Sequence, residues 1–571
     1  MFLQLPPEVQ LLVLAQLPVF SVHRFRLIAR ECNDIFQSNV STIYRNIAIY
    51  HRIAPDNMNI SEIIRGRKVY FDWLDRRLSG EDHDEEAMSW KEYVQRFFLL
   101  EKNWINGKAL HTVRLTGAQR RHRIQIDEVE GSAISTFGLG NVIETLSKTS
   151  SVNHVNIGGI ASNCFDTGEP LWTNPIVSPW AHCEFDKGFL IWGRRTTKIE
   201  VWRRKCDQEA DPLPAYDPDE YQRATHTLLT QLEGLEENTQ IERSDQRGKF
   251  QPFICLNTEV PTSASRFVYP HLVLATRDAL FVFVYDVPNA KLLRKIELDQ
   301  DNVLDGDGDD EDETVNYVEH SPTHVFVCME RQIGIYKKSD GKADLVFRTT
   351  HPPDYLLSID PEDPEFEDEE EVTLTSMELP LRPIENHTIR LNNFAHSGLR
   401  EFKAVHVSPC GRIWVAICEE SFVYIVTGGL EGTNFPLELT EIYLGEEELY
   451  YLAFDGYHVA VAGDRGIYTL SLGRLHEPTD DLHLIHESIQ KGSLRLFRPQ
   501  KDVDMQQTTC LQITDDSVWH VAAVESKSLP FLRCLLMMVT VFIAGNLTGL
   551  TRIDYGKRLG SDQEETGYLS V

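Results

Sequence analysis

The sequence predicts an α+β multidomain chain, with a small helical module at the N-terminus, a helical connector and then a mainly β domain. Three observations carry that prediction. The first 48 residues are apolar at helical spacing and are interrupted by Pro6, Pro7 and Pro18; an aromatic stripe runs from Trp90 to Trp104; and past residue 108 the apolar period drops to two, with one hairpin pattern recurring. These shifts place boundaries at 1–48, 49–107 and 108–571.

In the first segment Pro6 and Pro7 suit the opening turn of a helix, where a missing N–H costs little, and Glu8 sets a negative charge near the positive end of the helix dipole. That helix must end before Pro18. Within it Val9, Leu11, Leu12, Val13, Leu14 and Leu17 cover nearly the whole circumference, which a helix in water tolerates only when it is buried on several sides. A piece of about 45 residues can hardly supply such burial alone. Either the rest of the chain or a partner must cover it.

The Leu5-Pro6-Pro7-Glu8 opening, the break at Pro18, the stretch Arg24 to Ile35 and the stretch Ile43 to Ala48 occur in an order that resembles the F-box. The resemblance implies docking onto the Skp-family adaptor of a cullin ubiquitin ligase. It marks Leu5, Pro6, Glu8, Leu14, Leu17, Leu27, Ile28 and Cys32 as adaptor-facing or module-core positions. Two departures concern the later helices: Asn33 follows Cys32 where the family often has an aromatic residue, and Ile43-Tyr44 stands where Leu-Trp is common.

The connector signal is strong. Trp90, Tyr93, Val94, Phe97, Phe98 and Trp104 recur at three- and four-residue steps, and Asn106-Gly107 supplies a stop. Such a stripe is expected to lie against a neighbouring domain. Its ending resembles the helical connector that precedes the WD-repeat propeller in many F-box proteins.

The β domain shows a short apolar strand, a polar turn and a second alternating strand six times. The hairpins are Phe189 to Trp192 with Ile199 to Trp202, Leu272 to Leu274 with Leu280 to Tyr285, Val325 to Val327 with Ile333 to Tyr336, Ile413 to Ile417 with Phe422 to Val426, Val459 to Val461 with Ile467 to Leu470, and Val541 to Ile543 with Leu550 to Ile553. Turn residues Arg194, Arg277, Glu330, Glu419, Asp464 and Asn546 are separated by 83, 53, 89, 45 and 82 positions. A propeller blade takes about 40–45 residues, so the long gaps hold either a further blade or an insertion. A propeller of about seven blades, within a range of six to eight, is expected, with acidic or polar insertions near 207–249, 299–313 and 360–371. The rival is a non-propeller β domain such as a sandwich, because no Trp-Asp dipeptide and no blade-opening Gly-His occur.

Composition narrows the function. The 571 residues carry a formal charge of −31, which argues against a general nucleic-acid coat, since phosphate binding needs clustered positive charge. Ten cysteines without a CxxC pair suit a reducing compartment, so cytoplasm or nucleus is expected. The apolar run Cys534 to Ala544 is too short to span roughly 30 Å of hydrocarbon as a helix, and no membrane association is expected.

Signatures of catalysis are missing: the sequence has no GxxxxGK[ST] loop, no GxSxG elbow and no HExxH helix. Neither a cofactor nor a metal is expected. Asp305, Asp307 and Asp309 imitate a calcium loop, yet Asp310 replaces the turn glycine and Asn316 the bidentate glutamate. His483 and His486 lack a further ligand. Arginines cluster at Arg120, Arg121 and Arg123, at Arg194 and Arg195, and at Arg203 and Arg204. Guanidinium forks suit bidentate phosphate binding, and the resemblance implies a phosphopeptide-reading face, so Arg194 and Arg195 are candidate substrate or phosphate contacts. Arg195 and Arg203 lie about 26 Å apart along an extended strand and cannot share one phosphate.

The resemblance implies a non-catalytic substrate receptor of a cullin–RING ligase, whose partners are the adaptor, through it the cullin and RING subunits, and an unidentified protein substrate. The alternatives are a propeller scaffold outside ubiquitin transfer and an enzyme with a site in the propeller channel.

Overall fold

The computed structural model describes residues 2–17, 19–51, 53–54, 56, 59–65, 88–106, 110–115, 120–138, 158–164, 168–178, 181–194, 197–210, 213, 218–236, 246–298, 314–348, 354–359, 376–379, 381–383, 401–430, 436–445, 448–472, 494–497, 503–504, 510–514, 517–524 and 547–554.

A 3-10 turn at Phe2–Gln4 leads into five helices, α1 (Pro7–Ala15), α2 (Val19–Phe25), α3 (Arg30–Ser38), α4 (Val40–Tyr50) and α5 (Ile60–Arg65). The module's core joins Leu14, Val22, Phe36, Ile43, Tyr44 and Ile47, all essentially without solvent exposure. Pro7 takes the first turn of α1 and Glu8 lies in the same turn, as their chemistry requires. The buried Gln10 amide donates to the carbonyls of Leu5 and Phe2 at 3.0 and 3.3 Å, tying the chain start to α1.

The connector helix spans Trp90–Asn106. Ser89 caps it: the Glu92 carboxylate accepts from the Ser89 N–H and hydroxyl, and the Glu92 N–H donates back to Ser89 Oγ at 3.2 Å. This reciprocal capping box fixes the first turn.

The β domain begins with β1 (Leu110–Leu115). Four-stranded antiparallel blades then follow: β2 (Arg120–Asp127), β3 (Ser132–Gly138), β4 (Gly158–Cys164) and β5 (Pro170–Val177), then β6 (Cys183–Asp186), β7 (Phe189–Gly193), β8 (Lys198–Arg204) and β9 (Phe250–Asn257). The third holds β10 (Thr262–Val268), β11 (His271–Thr276), β12 (Phe281–Asp286) and β13 (Lys291–Glu297), and the fourth β14 (Val315–His320), β15 (His324–Met329), β16 (Gln332–Lys337) and β17 (Ala343–Arg348).

Three short strands, β18 (Tyr355–Ile359), β19 (Ser376–Glu378) and β20 (Leu381–Pro383), precede the fifth blade of β21 (Phe402–Val407), β22 (Ile413–Cys418), β23 (Phe422–Thr427) and β24 (Glu438–Tyr443). The sixth holds β25 (Leu449–Phe454), β26 (His458–Gly463), β27 (Gly466–Ser471) and β28 (Leu494–Phe497). Strands β18 and β20 widen the fifth blade, with β18 parallel to β24, while β19 pairs with β28 of the sixth. The chain ends in β29 (Val503–Asp504), β30 (Cys510–Ile513), β31 (Ser517–Val524) and β32 (Leu547–Asp554), and β1 from the start of the domain pairs antiparallel with β32.

The first strand of each of the six blades and β30 of the closing sheet meet one another around the ring. Around the ring β2 touches β6, β6 touches β10, and the series continues through β14, β21, β25 and β30 back to β2. A separate apolar cluster fills each junction between neighbouring sheets, for example Ile134, Trp172, Trp192 and Trp202 between the first and second, and Ile124, Ala133, Cys510 and Trp519 where the ring closes. Closure by a sheet drawn from both ends of the domain leaves no open edge at the seam.

The expectation of about seven blades therefore needs correction to six. Six blades arise from consecutive strands, and the remaining sector is the composite closing sheet. The blade β2–β5 lacks the apolar hairpin pattern because its buried faces carry Ser132, Ser135, Thr136, Gly158, Gly159 and Ser162 where other blades carry Val, Ile and Phe. Among the described residues neither the 83- nor the 89-residue gap holds a further blade: helices Lys205–Ala210 and Glu220–Glu236 lie in the first between β8 and β9, and β18 to β20 lie in the second. The region 207–249, expected as a polar insertion, is thus partly helical, and Leu229 anchors the longer helix in the junction between the first two blades. The insertions 299–313 and 360–371, the aspartates at 305–309, His483, His486, Arg195 and the strand 541–543 lie outside the described residues. The nine described cysteines are free thiols. Among the described residues no helix is long and apolar enough to cross a membrane, and no group of three His, Cys, Asp or Glu side chains is placed to hold a metal.

Candidate functional site

The N-terminal module divides the eight positions singled out by the sequence into two groups. Leu14 and Cys32 are core, at 0% and 4% exposure, and Leu17 packs on the edge of that core. Leu5, Pro6 and Glu8 are exposed, while Leu27 and Ile28 stand out most, at 60% and 74%. Val9, Leu12 and Val13, which the sequence placed on the apolar circumference of this helix, are also exposed, Leu12 at 59%, and so is Leu3, which the sequence did not single out. The apolar circumference of α1 that the sequence could not place is therefore half core and half uncovered. A set of large apolar side chains left open on a single small module marks a protein–protein contact surface.

Two partly buried polar contacts hold this module in shape. The Tyr44 hydroxyl lies 2.8 Å from His23 Nε2, and Asn39 Nδ2 donates to the Ile35 carbonyl at 2.9 Å. Burial, with Arg26 and Lys91 adding to it, lowers the His23 pKa, so the ring is a neutral partner for the phenol. Burial pushes the Tyr44 pKa up to about 12, against a smaller opposing effect of Arg26.

The connector helix joins the surface to the propeller. Trp90, Tyr93 and Val94 belong to the core of the N-terminal module, and the Tyr93 hydroxyl donates to the Ile53 carbonyl at 3.1 Å. Leu100 and Trp104 at the other end belong to the cluster between the sixth blade and the closing sheet, with Ala460, Ile467, Phe497, Leu511 and Val518. The aromatic stripe thus serves two cores, one at each end of a rod about 25 Å long at 1.5 Å per residue. Its last turn is tied by Arg495 Nε, which donates to the Ile105 carbonyl at 3.2 Å.

One turn of this rod carries a charge into the propeller. Glu101 and His458 are both fully buried; His458 Nε2 lies 3.3 Å from Glu101 Oε2, and its Nδ1 lies 2.8 Å from Asp455 Oδ2. The Trp104 indole stacks on the imidazole with centroids 4.3 Å apart and planes 15° from parallel. Burial alone opposes charge on His458, but Asp455 and Glu101 outweigh it and raise the pKa to about 9. The ring is therefore an imidazolium at neutral pH, held between two carboxylates.

The arginine candidates divide in the same way. Arg194 Nε donates to Glu200 at 2.6 Å, its two terminal nitrogens grip Asp219 at 2.7 and 2.9 Å, and its plane covers the Tyr221 ring at 4.2 Å. That fork clamps the helix Glu220–Glu236 onto the second blade instead of facing an open surface. Arg204 is held likewise, between Asp127 at 2.8 Å and Asp207 at 2.8 Å.

Residues 2–44 match the F-box domain family. No curated protein matches the chain. Among solved structures it is similar to U3-55K, at 10% identity over 78% of this chain and 98% of that one, with a TM-score of 0.41. It is similar also to the beta-propeller domain of Cps50 (Swd1) from Myceliophteria thermophila, at 8% identity, 78% and 99% coverage and a TM-score of 0.40. The WD40 repeats of RRP9 give 10% identity, 78% and 97% coverage and a TM-score of 0.40. The chain carries an F-box domain at residues 2–44, followed by a β-propeller with WD40-like structural neighbours.

Proposed function

We propose that the protein is a substrate receptor of a cullin–RING ubiquitin ligase. The F-box docks on a Skp-family adaptor through Leu5, Pro6, Glu8, Leu27 and Ile28, joined by Leu3, Val9, Leu12 and Val13, while Leu14, Leu17 and Cys32 keep the module folded. The propeller binds a protein substrate, and the cullin and RING subunits bring the conjugating enzyme. Catalysis here is positioning, since tethering raises the effective concentration of a substrate lysine near the charged enzyme without any reactive group in the receptor. Such a protein works in cytoplasm or nucleus and needs no cofactor.

The observation that carries this reading is the connector helix, whose two ends lie in the cores of the two domains. A receptor must hold adaptor and substrate in a fixed relation, and a continuous helix buried at both ends does so. A scaffold outside ubiquitin transfer has no need of the uncovered apolar face on the F-box. The test is co-expression of the full chain with the adaptor, cullin and RING subunit, followed by purification through the chain. Recovery of all three supports the receptor; recovery of the chain alone leaves the scaffold.

A further inference from the structure

The corner where the third and fourth blades meet holds a lysine between two histidines. Lys338 directly follows β16, and its N–H donates to the Thr323 carbonyl at 2.8 Å, while the Gly341 N–H closes the turn behind it on the Lys337 carbonyl at 2.8 Å. These two bonds fix where the side chain starts. It runs to His271, which opens β11, and to His320, which ends β14: Nζ lies 2.9 Å from His320 Nδ1 and 3.5 Å from His271 Nδ1. The side chain is half-buried, so part of it still reaches solvent.

The tautomer of His320 follows from its other nitrogen. Nε2 lies 3.1 Å from the His271 carbonyl oxygen and must donate to it, so Nδ1 turns a lone pair toward the lysine. Burial, with the Lys338 charge next, holds the His320 pKa at about 3, and the ring stays neutral. No carboxylate completes the set. Lys198 holds Asp219 at 3.2 Å, Lys337 holds Asp344 at 3.6 Å and Lys403 holds Glu419 at 2.9 Å, but among the described residues Lys338 has no ion-pair partner. The acid that acts on it from a distance, Glu319, has both oxygens taken by Arg266, His406 and the His320 N–H. Burial therefore dominates and lowers the Lys338 pKa to about 8.

We propose that Lys338 is a modification site, a nucleophilic amine that takes a small acyl group from a thioester, with His320 receiving the proton. An amine attacks only when it is unprotonated, and a lysine that is desolvated without a counter-charge reaches that form near neutral pH. The ammonium first gives one proton to water. Nζ then attacks the thioester carbonyl carbon, a C–N bond replaces the C–S bond, and the proton shed by the nitrogen passes through His320 Nδ1 to the departing thiolate, leaving an amide and a thiol. The product suits the corner better than the reactant, because the amide N–H still donates to His320 and the uncompensated charge is gone. A carbamate formed from carbon dioxide would bring a negative charge toward Glu319, and a neutral imine formed from an aldehyde would lose the N–H. Acyl transfer is therefore the chemistry these neighbours favour. The site is independent of the F-box surface and of the ligase reading.

The test incubates the full chain with the acetyl thioester of N-acetylcysteamine and follows acetylation of each lysine by peptide mass spectrometry, at low conversion, from pH 6 to pH 10. The exposed Lys291 and Lys342 are the references. With a pKa of about 8, roughly a fifth of Lys338 is free amine at pH 7.4, against about a thousandth for an ordinary lysine. A weaker base is also a weaker nucleophile, which offsets part of this and leaves an expected rate about tenfold above the references at pH 7.4. The Lys338 rate should level off above about pH 9 while the references climb through pH 10. The other groups facing the amine are His271 on β11, Glu319 and His320 on β14 and His324 on β15, and all have pKa values below their ordinary ones, so a rise centred near pH 8 belongs to Lys338. His271→Glu sets a carboxylate beside the amine and should bring Lys338 down to the reference rate, with Lys291 and Lys342 unchanged. The wild-type pH profile decides the matter by itself if that variant does not fold. Lys338 reacting no faster than the references, a rate that climbs with theirs to pH 10, or full speed kept in folded His271→Glu overturns the proposal.

Discussion

His458→Gln should loosen the joint between the connector helix and the propeller, and the effect should fade at high pH. The imidazolium sits between Glu101 and Asp455 in a fully buried position, with its pKa raised to about 9 from 6.5. At 1.36 kcal/mol per pH unit that rise corresponds to about 3 kcal/mol of stability. Because the folded-state pKa lies above that of an exposed imidazole, the stabilisation is complete below pH 6.5 and is lost as pH rises through about 9. The readout is hydrogen exchange of the amides in the last turns of the connector helix, compared between wild type and variant at each pH. About 3 kcal/mol predicts roughly 100-fold more protection in wild type at pH 6, shrinking as the pH passes 9. An advantage equally large at pH 6 and pH 10 would show that shape rather than charge makes the joint, and refute this reasoning.

Leu14→Arg should unfold the F-box module, since Leu14 is fully buried and a buried unpaired charge costs several kcal/mol; circular dichroism should show helix loss with the β signal kept. Ser89→Ala removes one half of the capping box and should cost about 1 kcal/mol of connector-helix stability, read as faster exchange of the amides of residues 91–93. Arg194→Met leaves Asp219 without its clamp and should free the helix Glu220–Glu236, so that limited proteolysis cuts within 205–236 before the blades are touched.

Much of the molecule was legible in the sequence. Helical spacing with Pro6, Pro7 and Pro18 marked the first helices, and the aromatic steps with the Asn106-Gly107 stop marked the helix observed at Trp90–Asn106. Alternation marked one hairpin in each of five blades, because buried Val, Ile and Phe announce themselves locally. The first blade did not, since its small polar faces lack that signal. Exposure within α1 was illegible for another reason: apolar residues on every side do not say which side a partner takes. Least accessible were long-range pairings. Glu101 and His458 stand 357 positions apart, and nothing near either residue signals the other. Arg194 attracted attention as a candidate anion contact, but Asp219, 25 residues on, already occupies its fork.

The adaptor affinity of the F-box surface tests the central claim most directly. Titration of the purified Skp-family adaptor against the full chain should give tight binding for wild type. The double variant Leu27→Asp, Ile28→Asp should bind at least about 100-fold more weakly, as burial of two such side chains supplies about 3–6 kcal/mol, with its melting transition unchanged because both side chains are exposed. No binding by wild type, or equal binding by the variant, would contradict the account.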